Sequence, residues 1–215
     1  MRSPLNAVKG YTEMIREEPA MELRERVELL DRIHDATARM ADMVRNLLDA
    51  NRIERGEMQL DLAPTELSAL VGSVTEAQRL RATAKQQTIH LETESTSVTA
   101  AVDSNVMVQV LENLISNAVK YSPPGKAVFV RLKRLPEAVR IEVQDEGPGL
   151  SAEDQKRLFR KFARLSAQPT GWEHSTGLGL SIVKKLVEAM NGRVWCESER
   201  GRGAMFIAEF PEARI

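Results

Sequence analysis

Along the first quarter of the chain, apolar positions recur every three or four residues, the spacing of one helix face. The pattern predicts a helix over 3–18, stopped by Pro19, and a long helix over 20–54 that gives way at Gly56. Along the second helix Leu23, Val27, Leu30, His34, Thr37, Ala41, Val44 and Leu48 alternate steps of four and three, a seam of heptad type. A second row, Leu29, Ile33, Met40, Met43 and Leu47, widens the stripe beyond what one hairpin can bury. Two hairpins paired as a four-helix bundle bury it, so the pattern predicts a two-fold homodimer; a helix lying on the following domain is the other way to cover it. His34, within the seam, is expected to be buried or half-buried in the bundle.

After "RIERGEMQLDLAPTEL" the period changes, which puts a domain boundary between Ile53 and Pro64, with a dimerisation hairpin over 1–58 and a second domain over 62–215. There the pattern predicts a short strand over 57–61, a helix over 66–86, strands over 88–93 and 98–102, and a helix over 104–120 capped by Asp103. Strands over 127–135 and 138–144 form a hairpin. A short helix over 151–161 has Ser151 as cap and Asp154 three residues on. An irregular loop over 163–176 leads to a helix over 177–190, where Gly192 is expected to supply the left-handed end, and "RVWCESE" and "AMFIAEF" close the chain as strands. The fold class is α+β: a helical hairpin, then an α/β sandwich with a mixed sheet and helices on one face.

Composition narrows the field. With 215 residues, 42% hydrophobic, the chain can bury one or two cores. Thirty basic against thirty-one acidic residues give a net charge of -1, so no bulk field favours nucleic acid or an anionic membrane, and phosphate affinity has to be local. No apolar run is long enough to span a bilayer and no signal peptide opens the chain, so a cytoplasmic segment is expected. The single cysteine, Cys196, excludes an internal disulfide and reads as a small buried hydrophobe. The three histidines have no metal-ligand spacing, and no zinc site is expected.

Three motifs carry chemistry. In "VMVQVLENLISNAVKYS", Asn113 and Asn117 stand one helical turn apart on one face, with Lys120 and Tyr121 beyond them. Two amide oxygens can help hold a hydrated Mg²⁺ that bridges phosphates, and Lys120 can add positive charge. In "DEGPGL", at a strand end, glycines let backbone lie against a flat ligand, and Asp145 can accept from an adenine amino group. In "TGLGLS", Gly177 and Gly179 open a helix whose N–H groups can point at phosphate. Taken singly, each also reads as ordinary structure: a solvated helix face, a turn, a glycine-rich helix start.

Their order changes this. Asn113 and Asn117, then Asp145-x-Gly147-x-Gly149, then "LFRKFARL" with Phe159 and Phe162, then Gly177-x-Gly179 resembles the N, G1, F and G2 boxes of sensor histidine kinases. "RSPLNAVKGYTEMI" and "MVRNLLDANRIERGEMQL" resemble the dimerisation and phosphoacceptor hairpin of that family, so the resemblance covers nearly the whole chain. It implies Mg-ATP as ligand, with Asn113 and Asn117 serving Mg²⁺ and phosphate, Lys120 contacting phosphate, and Tyr121 the sugar or base. Asp145 would bind adenine N6, while Gly147 and Gly149 leave room for the ring. Thr176, Gly177, Leu178, Gly179 and Leu180 would line the phosphates, and Arg164 would reach the γ-phosphate. Glu112, Asn113 and Lys120 are the implied catalytic group. Phe159 and Phe162 would anchor the segment "ARLSAQPTGWEHST", which looks like an ATP lid. "RGRGAMF" resembles a further, structural glycine element. The implied partners are a second copy of the chain and a response-regulator receiver domain.

One departure stands out. Relatives read His-Glu-x-Arg-Ser/Thr-Pro-Leu at the phosphoacceptor, and aligning "RSPL" puts that histidine two residues before Met1. Ser3 falls where relatives carry a residue that positions water for dephosphorylation. The expectation is a piece of a longer kinase that begins inside the first helix, with sensor domains upstream, and that does not label itself. His34, His90 on a strand and His174 in the lid are not placed to substitute. A dimeric scaffold for a response regulator, and an ATPase of the gyrase and chaperone type, fit the same motifs; the ATPase needs a glutamate near where Asn113 stands.

Overall fold

The structure is a computed structural model that describes residues 2–55, 57–93, 98–163, 165–170 and 177–213. The chain divides into two compact units, Met1–Glu54 and Arg55–Ile215.

The first unit is a helical hairpin of α1 (Arg2–Glu17) and α2 (Leu23–Glu54). Met21 is buried under the turn, and Arg26 donates from Nη2 to the Pro19 carbonyl at 3.0 Å. The row Leu29, Ile33, Met40, Met43 and Leu47 is half-buried around the fully buried Ala36. The other row is uncovered: Leu23, Val27, Leu30, Val44 and Leu48 are exposed within one chain. His34 is exposed with them within one chain, on the row that a two-fold bundle would cover.

The second unit contains β1 (Ala63–Glu66), α3 (Leu67–Ala84), β2 (Thr88–Thr93), β3 (Thr99–Val102), α4 (Ser104–Tyr121), β4 (Ala127–Arg134), β5 (Ala138–Asp145), α5 (Ala152–Arg157), α6 (Gly179–Ala189), β6 (Arg193–Ser198) and β7 (Ala204–Pro211). Five strands form a mixed sheet in the order β2-β4-β5-β7-β6, with β2 parallel to β4 and the other pairs antiparallel. Period-two alternation decides its faces. Val128, Val130 and Leu132, Val139, Ile141 and Val143, and Phe206, Ala208 and Phe210 are buried on one side, where α3, α4 and α6 pack. The opposite side is polar and self-paired: Lys133 meets Glu142 at 2.8 Å, and Arg140 and Arg193 both clasp Glu209 while standing over the Trp195 ring. Burial pushes the Glu209 carboxyl up, but hydrogen bonds and charge from the two arginines outweigh it and hold it below its ordinary range. His90 is exposed on this side, stacked on Phe129.

Three expected boundaries move. No strand forms over 57–61; β1 lies at 63–66, pairing antiparallel with β3. The partner strand has four residues, and the Asp61 N–H goes instead to Asp103 Oδ2 at 3.1 Å. The helix expected over 151–161 is the six-residue α5, and the one expected over 177–190 starts at Gly179. Gly192 does not supply the left-handed residue after α6: Asn191 does, at φ 58°, a conformation asparagine tolerates. Gly192 is instead required by crowding, since a Cβ there would press on the Glu209 carbonyl and the Phe210 ring.

Cys196 lies half-buried on β6, and burial, with the charges of Asp145 and Glu197, pushes its thiol up to about 12. At pH 8 its thiolate fraction is then on the order of 10³-fold below that of a free thiol. Iodoacetamide should label the folded chain correspondingly slowly and the urea-unfolded chain at the free-thiol rate, as read by intact mass.

Candidate nucleotide site

The site is built on α4, which forms where an apolar face of Val106, Met107, Val110, Leu111, Leu114, Ile115 and Ala118 packs inward. Asp103 caps it, with Oδ1 accepting from the N–H groups of Asn105 and Val106. Asn113 and Asn117 are half-buried on one side of this helix, and Glu112 is exposed. Asn113 donates from Nδ2 to the Gln109 carbonyl at 2.9 Å, which fixes the amide so that Oδ1 lies against Gly179. A Cβ at residue 179 would sit 2.7 Å from that oxygen, so only glycine lets α6 start there.

Eight residues along, about 12 Å of helix, α4 meets the second motif. Gly147 packs against the Tyr121 carbonyl and Asp145 Oδ1. Asp145, the last residue of β5, is buried, and both N–H groups that reach it, from Gly147 at 2.8 Å and Ala204 at 3.2 Å, donate to Oδ1. Oδ2 takes no donor among the described residues. Burial raises the carboxyl to about 6, and the two N–H bonds pull it only partly back.

The α6 start differs from those of α3, α4 and α5. Glu66, Asp103 and Ser151 cap those helices with side-chain oxygens, whereas Leu178 gives α6 no side-chain cap. Among the described residues no side chain caps its first N–H groups, the arrangement that suits an anion. Gly177, at φ 68°, accepts from the Phe162 N–H at 2.9 Å, Leu178 is buried and Leu180 is half-buried. The Phe162 ring is exposed, so this residue anchors the segment by its backbone; Phe159 is half-buried beneath the Lys184 ammonium. The structure thus brings Gly179 against Asn113 midway along α4, and Gly147 against Tyr121 and Asp145 at the C-terminal end of that helix. Lys120 stands over the Tyr121 ring, 5.6 Å from its centre. Arg164, Thr176 and His174 lie outside the described residues, as does the Ser3 side chain.

Sequence reasoning passed over several contributors. Gly203, at φ 79°, is forced by the approach of the Asp145 carbonyl, and it brings the Ala204 N–H onto the carboxylate. Ser198 accepts from the Leu150 N–H and donates to the Gly203 carbonyl, tying the loop after Gly149 to this turn. Ser166 donates to Asp154 Oδ2 at 2.5 Å and, with Ser151, holds that carboxyl below its ordinary range. Of these, only the glycines of "RGRGAMF" gave a signal. Among the described residues no group of three or more His, Cys, Asp or Glu side chains is placed to hold a metal, and no helix is long and apolar enough to cross a membrane.

A sheet backed by helices, a buried acid at a strand end and an uncapped glycine-rich helix start beside paired asparagines define a nucleotide-binding domain of the kinase and gyrase type. Residues 102–214 match the family described as histidine kinase-, DNA gyrase B- and HSP90-like ATPase, and residues 1–56 match the His kinase A (phospho-acceptor) domain. The chain belongs to this family, as the core of a sensor histidine kinase. It is 32% identical to the circadian input-output histidine kinase CikA of Synechococcus elongatus, over 100% of this chain and 29% of that protein. Against the sensor protein GacS of Pseudomonas syringae it is 33% identical, over 100% of this chain and 24% of that one. The chain therefore spans under a third of the length of these two relatives. Full-length ShkA, solved in complex with AMPPNP, superposes with a TM-score of 0.75 at 30% identity over 100% of this chain and 44% of its own. The Acinetobacter baumannii histidine kinase AdeS shares the fold, with a TM-score of 0.79 at 23% identity over 99% of this chain and 97% of its own.

Proposed function

We propose that this chain binds Mg-ATP between α4, the Asp145 turn and the start of α6, and that in the intact protein it phosphorylates a histidine and relays the phosphoryl group to a response-regulator aspartate. The observation that carries the binding reading is Asp145: both backbone donors converge on Oδ1, and Oδ2 is left to accept from the adenine amino group. Gly147, where a Cβ would collide with the Tyr121 carbonyl and Asp145 Oδ1, lets the turn after β5 close onto the end of α4.

The donor set suits magnesium, since the oriented Asn113 Oδ1 and the Asn117 amide offer hard oxygen ligands. Bound there, the ion would neutralise phosphate charge during transfer. The chain's own residues do the rest. The N–H groups at the start of α6 orient the phosphates, Lys120 adds positive charge, and Tyr121 borders the sugar or base. Arg164 and Thr176 are assigned to the phosphate side on the family pattern. Glu112 is an acid adjacent to the asparagine pair and assists proton transfer from the imidazole nucleophile. The proposed partners are a second copy through the uncovered α2 row and a receiver domain; ThkA, a histidine kinase of the same fold, was solved in complex with the response regulator protein TrrA.

The test incubates the chain with Mg²⁺ and γ-labelled ATP and counts acid-labile, base-stable protein-bound label and released phosphate, with binding measured in parallel. The expected result is ATP binding with neither protein-bound label nor appreciable phosphate release. Stable phosphohistidine would overturn the missing acceptor, with His34 the first residue to map. Steady phosphate release without label would favour the ATPase reading.

A further inference from the structure

We propose that Lys85 is a positioning residue for nucleotide binding, whose ammonium latches the loop stem at Thr170 onto the C-terminal end of α4.

Lys85 follows α3, and its Nζ donates to the Val119 carbonyl at 2.8 Å, the Lys120 carbonyl at 3.2 Å and Thr170 Oγ1 at 3.0 Å. The last carbonyls of a helix lack intrahelical partners and form its electronegative end, where a cation with three donors fits. Capping alone did not require this lysine. Gln87 already donates from Nε2 to the Val119 and Ser122 carbonyls at 3.0 and 2.5 Å. What Lys85 adds is the connection to Thr170, 85 residues away in sequence. Thr170 reinforces it, donating from its N–H to the Lys120 carbonyl at 3.1 Å and placing Oγ1 2.7 Å from the Ser122 carbonyl.

The shared acceptor is the backbone of Lys120, in the turn that presents Lys120 and Tyr121 to the site. At its other end the same stem is held by Ser166 on Asp154, just after Ser151 and the start of α5. Residues 166–170 are thereby strung between α5 and α4. A segment tied at both ends has lost part of its freedom before ligand arrives, so less ordering entropy opposes nucleotide binding beside the end of α4. This inference rests on the ATP-binding reading above.

The experiment compares the parent with Lys85→Met, which keeps the apolar stem, with Thr170→Val, an isosteric change at an exposed position, and with the double variant. Affinities for AMPPNP with Mg²⁺ and for adenosine are measured, together with amide exchange over 165–170 and melting temperature. Each single change should weaken AMPPNP binding about five- to tenfold, leave adenosine within about twofold, and speed exchange of the stem. The double variant should bind no worse than the weaker single, because both remove one latch. Thr170→Val with unchanged AMPPNP affinity and unchanged exchange would overturn the proposal and leave Lys85 a helix cap. A parent that fails to bind AMPPNP would instead sink the nucleotide reading, and the latch role with it.

Discussion

Replacing Asp145 by asparagine is expected to weaken ATP binding about ten- to a hundredfold, the loss of one charge-assisted hydrogen bond, while making the empty protein more stable. The two effects have opposite signs for one reason. Burial raises the folded carboxyl from 3.8 to about 6. Between those values the folded chain binds more protons than the unfolded one, so stability falls as pH rises through that window. Above it, the ionised, buried carboxylate costs the fold about 3 kcal/mol. Asparagine removes that charge and keeps an amide oxygen for the Gly147 and Ala204 N–H groups. Unliganded D145N should therefore melt a few degrees higher than the parent at pH 7.5, yet gain little from added ATP. In the parent, ATP affinity should fall as pH drops below about 6, because the adenine amino group needs the carboxylate as acceptor. Calorimetric titration of both proteins across pH 5–8 measures this; an affinity indifferent to pH and to the substitution would remove Asp145 from the base-binding role.

Glutamate at both Leu30 and Val44 is expected to convert a dimer into a 24.0 kDa monomer. Both side chains lie exposed on the α2 row that faces away from α1. A two-fold bundle would bury four of them, at about 1.5–3 kcal/mol each, so the association constant should drop by about 10⁴-fold or more. Helicity should survive, because the row that meets α1 is untouched, and ATP affinity should not change. Light scattering after size exclusion reads the mass. A parent that is already monomeric would mean the stripe is covered by something other than a second copy.

The parts of this structure that were legible in the sequence are those whose cause is local. The seam on α2, the Asp103 cap and the asparagine pair on α4 follow from spacings of three and four. The β4–β5 hairpin follows from alternation about "RLPEAV". Where the determinant is distant the reading slipped. The strand set at 57–61 belongs at 63–66 because β3 chooses its partner from 37 residues away. The left-handed position went to Gly192 on residue type, whereas packing of that glycine against β7 leaves Asn191 to make the turn. Ala204 reaches Asp145 across 59 residues, and Thr170 reaches Lys120 across 50. Nothing periodic encodes either contact. The paired glycines located the site, but the groups that shape the acid's environment and brace α4 became visible only with the sheet assembled.

The place of β7 in that sheet has a consequence for synthesis. It follows β5 and β6 in the chain, yet it enters second from the edge, between them, and its first residue supplies an N–H to Asp145. Until Ala204 emerges, β5 and β6 have no common neighbour and the acid lacks one of its two donors. The hairpin of α1 and α2, made of local contacts and translated ahead of this sheet, can meet another nascent hairpin before then. Within this segment assembly is thus ordered in time: the helical hairpin is complete early, and the nucleotide site is completed only when β7 joins the sheet.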